Sequence, residues 1–356
     1  MMFGVLLAAA VLEIVGRSTV YQHPHSDPYD PRNRTGFNHA ANIAELPDGR
    51  LMAIWFSGPY EAAVNQLLLA SYSSNEGKTW SKAVEFQDFP RRSDFDPAFL
   101  RDTNRLWLFF SAGRWIRWPF VSNEQENVGE RSFQIYHRST DGKTWTPVAE
   151  AATGRGINCR NNGIKLTTGE LLLPVTRMRA PGAGVLKSAD GGKTWKHTGE
   201  VATPQGQDEP TIVELKSGAV MMFLRTGGGA LWRAISRDKG ETWSAAEKTT
   251  IVAARSSHSL FRLKDGRIVL THNAHERYRN PLTMRVSEDD GATWGEPLVI
   301  ASVPAGSETD PKLRRQVSYP SVVQLAGGDL VVVWSDIGIG DETQYGDIRC
   351  ARVRVK

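Results

Sequence analysis

SADGGKTW, at Ser188–Trp195, is one of five near-copies of a single phrase in this chain of 356 residues; the others are SSNEGKTW (Ser73–Trp80), STDGKTW (Ser139–Trp145), SRDKGETW (Ser236–Trp243) and SEDDGATW (Ser287–Trp294). Their tryptophans recur at intervals of 48 to 65 residues, so most of the chain is one supersecondary unit used repeatedly. Ser and Asp side chains bond nearby backbone amides, Gly supplies an unusual φ, and Thr-Trp resumes a strand with a large apolar anchor. Each phrase reads as a structural turn, and chemistry has to be sought elsewhere.

The same order precedes every copy: an apolar strand, an Asp-Gly-like turn, a second apolar strand, a variable loop and a third strand. The first unit runs through His39–Leu46, Leu51–Phe56 and Gln66–Tyr72. Later units open at Asp96, Asn162, Glu209 and His258, and a sixth begins at Ser318 and ends in Ile348–Val355 without the phrase. Short strands with regular turn signals predict an all-β fold, a six-bladed β-propeller of four-stranded antiparallel blades. The sixth unit holds only three strands of its own, so a strand around Thr19–Gln22 is expected to close the ring and remove exposed sheet edges.

This reading makes residues 17–356 one propeller, with 1–16 a signal or an unstructured N-terminus. Phe3–Leu12 has the length of a signal h-region, but no Lys or Arg precedes it and Glu13 interrupts it. It is too short to span a bilayer. A secreted or periplasmic location is expected, with a cytoplasmic one left open.

The chain carries 43 Lys+Arg against 39 Asp+Glu, a net charge of +4. The charges are interspersed, without the basic run of a nucleic-acid patch. Cys159 and Cys350 are the only cysteines, which leaves no disulfide framework and no Cys-x-x-Cys metal spacing. No P-loop or HExxH pattern occurs, and no cofactor is expected. Oligomeric state is not encoded. Long loops at 113–131, 179–183 and 302–317 are the natural rim decorations; in GRWIRWPF, Trp115 and Trp118 suit either stacking on a sugar or packing.

The first residues of each repeat open the innermost strands and face the central funnel. They are Asn38 and His39, Asp94 and Asp96, Arg160 to Asn162, Asp208 and Glu209, His258, and Tyr319. Titratable groups converging on one concavity define the default site.

The repeated phrase resembles the Asp box, SxDxGxTW, of the sialidase (neuraminidase) superfamily of propellers. DEPTIVELKSGAVMMFLRT is similar to the segment whose glutamate opens one strand and whose arginine closes the next, here Glu209 and Arg225. RNPLTMRVSEDDGATW resembles the segment with a second carboxylate-binding arginine, Arg279, and SYPSVVQLAGGDLVVVW the one with a nucleophilic tyrosine, Tyr319. The resemblance implies an exo-acting glycoside hydrolase on a glycan ending in an acidic sugar. Sialidases differ from most glycosidases in using tyrosine, and a tyrosine with its ordinary pKa near 10 needs a base such as Glu209 to take its proton.

The first blade departs from that pattern. Where the family has an FRIP-like stretch with an arginine, this chain reads Phe37-Asn38-His39-Ala40, and WFSGPYEAAVNQ offers Glu61 and Asn65 where an acid/base aspartate is expected. Candidate substitutes are Glu61, Asp94 or Asp96 as acid/base, His39 or His258 as proton carriers near neutrality, and Arg160 as the replacement cation. Such propellers also host α-L-rhamnosidases and uronate-directed polysaccharide lyases, for which His39 and Tyr319 would serve as base and acid, and a non-catalytic carbohydrate-binding propeller is the third alternative.

Overall fold

The computed structural model describes residues 10–24, 34–113, 133–151, 154–177, 182–340 and 343–356. Trp115 and Trp118 lie outside them. The described residues form six antiparallel sheets arranged as a six-bladed propeller, with no helix among them. Blade one is β2 (Phe37–Glu45), β3 (Leu51–Gly58), β4 (Leu67–Ser73) and β5 (Val84–Gln87). Blade two is β6 (Ser93–Asp102), β7 (Arg105–Gly113), β8 (Gln134–Thr140) and β9 (Ala149–Glu150).

In blade three the innermost strand is broken into β10 (Ile157–Cys159) and β11 (Ile164–Lys165), both paired with β12 (Leu171–Arg177); β13 (Ala183–Ser188) and β14 (Lys196–Val201) follow. Blade four is β15 (Asp208–Glu214), β16 (Val220–Arg225), β17 (Ala230–Ser236) and β18 (Glu247–Val252). Blade five is β19 (Ser259–Arg262), β20 (Ile268–Asn273), β21 (Leu282–Ser287) and β22 (Leu298–Ala301).

Blade six takes β23 (Gln316–Gln324), β24 (Leu330–Gly340) and β25 (Thr343–Val355) from the end of the chain and β1 (Leu12–Tyr21) from its beginning. The closing strand thus starts at Leu12 rather than Thr19, and a boundary at residue 17 would cut it in two. Leu12, the last residue of the apolar run Phe3–Leu12, and Ile14 beyond it pack against Val332, Val353 and their neighbours.

The apolar core is divided into six clusters, one along each junction between neighbouring blades. Five of them receive the tryptophan of a repeated phrase: Trp80, Trp145, Trp195, Trp243 and Trp294. Each reaches back onto the preceding blade, as Trp195 does against Trp107 and Phe109. The sixth junction, between blades five and six, has no such phrase; Ala10, Leu12, Ile14 and Trp334 fill it.

The phrase itself folds as its chemistry requires. In the third copy Ser188 Oγ accepts from Gly192 N–H and donates to Asp190 Oδ1, while Asp190 accepts from the backbone N–H and hydroxyl of Thr194. Gly192 sits at φ +85, and a Cβ there would lie 2.3 Å from the Trp107 ring. In the first copy Asn75 keeps the turn by donating to Thr79 Oγ1, where the aspartates accept from their threonine hydroxyls.

Candidate active site

With apolar side chains committed to the junctions, the inner strands turn polar residues toward the axis. Four of them carry a β-bulge near their start: register shifts lie at His39/Asn42, Phe95/Ala98, Asp208/Thr211 and Ser318/Ser321. A bulge re-aims a side chain. At each bulge one non-glycine residue is left-handed: Ala40 (φ 56), Asp96 (φ 48), Glu209 (φ 39) and Tyr319 (φ 59). A conformation of this kind costs about 1–3 kcal/mol, and such strain clusters at functional sites. Proline follows in three of the four, Pro97, Pro210 and Pro320, and suits a bulge because no ladder N–H is needed there. This acid-or-Tyr–Pro repetition marks the site in the sequence.

The bulges surround a cavity of about 370 Å³ lined by His39, Phe56, Glu61, Ala62, Phe95, Asp96, Phe133, Asn158, Asp208, Glu209, Arg225, Arg279 and Tyr319. Every blade contributes at least one of these residues. One wall is aromatic, with Phe56, Phe95 and Phe133 packed edge to face at centroid distances of 5.2 Å. The other is charged.

At its centre Tyr319 Oη donates to Glu209 Oε1 at 2.7 Å and accepts from Arg225 Nη1 at 2.7 Å. Arg225 Nη1 also stands 2.5 Å from Glu209 Oε2, a buried ion pair. All three side chains are buried. Burial pushes the Glu209 carboxyl up, but Arg225, the Tyr319 hydroxyl and Arg160 outweigh it and hold Glu209 below its ordinary range. The paired Arg225 is correspondingly held well above its own. The Tyr319 phenol is raised, mainly by burial, against the pull of Arg225 and Arg279.

Arg279 crosses the ring of Tyr319 at 5.2 Å. It is steadied by Nε–H to the Arg255 carbonyl and Nη1–H to Gln316 Oε1, both at 3.2 Å. His39 packs on Tyr319 with centroids 4.1 Å apart, and its buried Nδ1 has no partner among the described residues. Burial, then Arg279, Arg160 and Arg225, hold it neutral.

Asp96 Oδ2 accepts from Asn158 Nδ2 at 2.8 Å. Burial first and Glu209 second push its carboxyl up to about 7. Asp208 is pushed to about 6 by the same two causes; its side chain keeps 36% exposure, so water moderates that shift. Glu61, in the loop after β3, is exposed at the mouth. Crowding by protein atoms raises its carboxyl, against the pull of Arg279.

The cavity therefore unites Tyr319, Glu209, Arg225, Arg279, Glu61, Asp96 and His39. Two expected members are displaced. Arg160 does not line the cavity: it lies beneath, with Cζ 5.1 Å from the Tyr319 ring and Nη2–H directed at the carbonyls of Ala41 and Tyr319. His258 is fully buried and is likewise outside the lining. Burial holds it neutral, down to about 4. Asp94 serves the backbone, accepting from Phe89 N–H. Asn38 is structural too, accepting from Trp55 Nε1–H and Ser57 Oγ–H. Trp115 lies outside the described residues. Asn158 and the phenylalanine wall are members the sequence reading missed; only Asn158 and Phe95 lie on inner strands, each close to a strand opening.

Residues 49–332 match the family described as BNR repeat-like domain. A sialidase of Bacteroides fragilis is 26% identical over 261 residues, covering 63% of this chain and 47% of that protein. One from Micromonospora viridifaciens is 26% identical over 298 residues, covering 71% and 44%. The chain thus spans less than half the length of these relatives. Among solved structures, a protein of unknown function from Dyadobacter fermentans superposes with a TM-score of 0.76 at 19% identity, over 97% of this chain and 99% of that one; this likeness is one of fold.

Proposed function

The chain belongs to the BNR repeat-like domain family of the sialidase superfamily, and on that premise we propose that it is an exo-acting glycoside hydrolase that removes a terminal acidic sugar through a tyrosine nucleophile. The observation that carries the proposal is the buried Glu209–Tyr319–Arg225 chain. A carboxylate nucleophile would be repelled by an acid group at the anomeric carbon, whereas a neutral phenol is not. Tyr319 Oη attacks the anomeric carbon as its proton passes to Glu209, and Arg225 stabilises the charge that develops on the phenol oxygen. Arg279, with Arg225, holds the sugar carboxylate by charge-assisted bonds.

Glu61 at the open mouth protonates the departing oxygen, because the leaving group must exit there; Asp96, deep in the cavity, holds a ring hydroxyl. Glu61 then takes a proton from water, which attacks the anomeric carbon, and Tyr319 recovers its proton from Glu209. The anomeric configuration is retained. Incubation with fluorogenic sialosides and other ulosonic and uronic glycosides tests the reading: release of fluorophore, abolished in Tyr319→Phe, supports it, and undiminished release in that variant rejects the mechanism.

A second reading is favoured by the neutral His39 against Tyr319, its Nδ1 without a partner among the described residues. In a uronate lyase His39 would take the proton beside the carboxylate and Tyr319 would protonate the leaving oxygen as the glycosidic C–O bond breaks. An unsaturated product with ultraviolet absorbance would select it.

A further inference from the structure

Three consecutive residues of blade three, Cys159, Arg160 and Asn161, reach the main chain of three other blades. Cys159 Sγ–H donates to the carbonyl of Asp96 at 3.6 Å, Arg160 Nη2–H to that of Tyr319 at 3.3 Å, and Asn161 Nδ2–H to that of Glu209 at 2.9 Å. The acceptors are the three left-handed residues that face the cavity with reactive side chains. Arg160 also bonds the carbonyl of Ala41, next to the fourth left-handed residue, and Asn161 bonds that of Pro210. Asn42 Nδ2–H ties the trio itself to the axis through the Arg160 carbonyl.

The broken inner strand of blade three makes this reach possible. Between β10 and β11 the chain leaves its ladder with β12, so consecutive side chains diverge toward blades two, six and four. Arg160 is 2% exposed and has no carboxylate within ion-pairing distance among the described residues. Its charge lies under the Tyr319 ring.

We propose that Arg160 and Asn161 are positioning residues, which fix the strained backbone of Tyr319 and Glu209 and, through the Arg160 charge, favour the ionised form of the Glu209–Tyr319 pair. This rests on the tyrosine mechanism above. Neither side chain lines the cavity, so neither touches substrate. Glu209 is faced by Tyr319, Arg225, Arg160, Asp96, Asp208, Glu61 and His258; among the cations, only Arg160 can be removed without stripping the phenol of its hydrogen-bond donor.

The test is steady-state kinetics across pH on a fluorogenic glycoside that the wild type cleaves, with Arg160→Met, Arg160→Lys and Asn161→Ala. A misplacement of reacting groups by roughly 1 Å costs about 10²-fold, and a fall of that order in kcat with KM unchanged is expected for Arg160→Met and Asn161→Ala. In Arg160→Met the acid limb of kcat/KM should move to higher pH, because Glu209 loses a cation that keeps it ionised; in Asn161→Ala and Arg160→Lys the limb should stay. Should Arg160→Met fail to fold, Arg160→Lys carries the same test through a reduced kcat with an unmoved limb. Wild-type kcat in Asn161→Ala and in whichever Arg160 variants fold, with Tyr319→Phe inactive, overturns this proposal alone. Activity surviving in Tyr319→Phe, or no turnover by the wild type, overturns the underlying mechanism with it.

Discussion

Tyr319 and Glu209 stand 110 residues apart in the chain, on blades six and four, yet their side chains meet across a 2.7 Å hydrogen bond at the axis. The bond depends on two bulges facing each other, and Arg225 closes the group from the end of β16.

Removing the acid should expose what it offsets. In Glu209→Ala, Arg225 is left buried without its close carboxylate, and breaking a buried pair in this way costs about 3–5 kcal/mol. Glu209→Gln keeps the shape and should lose less stability while losing most activity. Chemical denaturation of both variants, alongside turnover, checks the order.

Asp96 should show a conflict between stability and function. Its folded-state pKa is raised to about 7 from an ordinary 3.8, so the folded protein binds the extra proton and stability declines as pH rises through that window. Asp96→Asn should therefore raise the melting temperature at pH 8 more than at pH 4, while lowering activity on all leaving groups alike. Glu61→Gln should instead penalise poor leaving groups most, as expected for loss of a proton donor. Melting curves and a leaving-group series separate the two residues.

The repeated turns predict the acid behaviour of the fold. Hydrogen bonds from Thr194 and Thr242 hold Asp190 and Asp238 down at about 2. Groups with depressed pKa stabilise the protein above their unfolded values and lose that contribution as pH falls through the folded ones, here from about 4 to about 2. The double variant Asp190→Asn, Asp238→Asn should flatten the loss of stability over that window, measured by circular dichroism melts. Asn75 in the first copy already shows that an amide keeps the turn.

Closure by β1 makes the early residues part of the fold. Deleting residues through Tyr21 removes the outer strand of blade six and the apolar fill of its junction with blade five, and should give unfolded or aggregated protein. Circular dichroism and size-exclusion chromatography of this truncation check it.

Much of this was readable because the tryptophan-ended turns act as a ruler: they place the inner strands whose openings hold Glu209 and Tyr319, while Arg225 and Arg279 come from the resemblance of their segments to those of sialidases. The fate of Arg160 was not readable, since it depends on an interruption of one short strand that leaves no mark in local composition. The reach of β1 back to Leu12 was not readable either, because local composition does not name the surface on β24 and β25 that Leu12 and Ile14 meet.

The pairing of β1 with β25 has a mechanical side. The strands are antiparallel, with Leu12 opposite Val355, and the backbones of Val11 and Lys356 bond each other at the same corner. Tension applied through both flanks of this chain would load that corner first and peel the ladder bond by bond, as a zipper opens, without shearing it all at once. A ring held shut against heat by a whole sheet would then open to a modest pull.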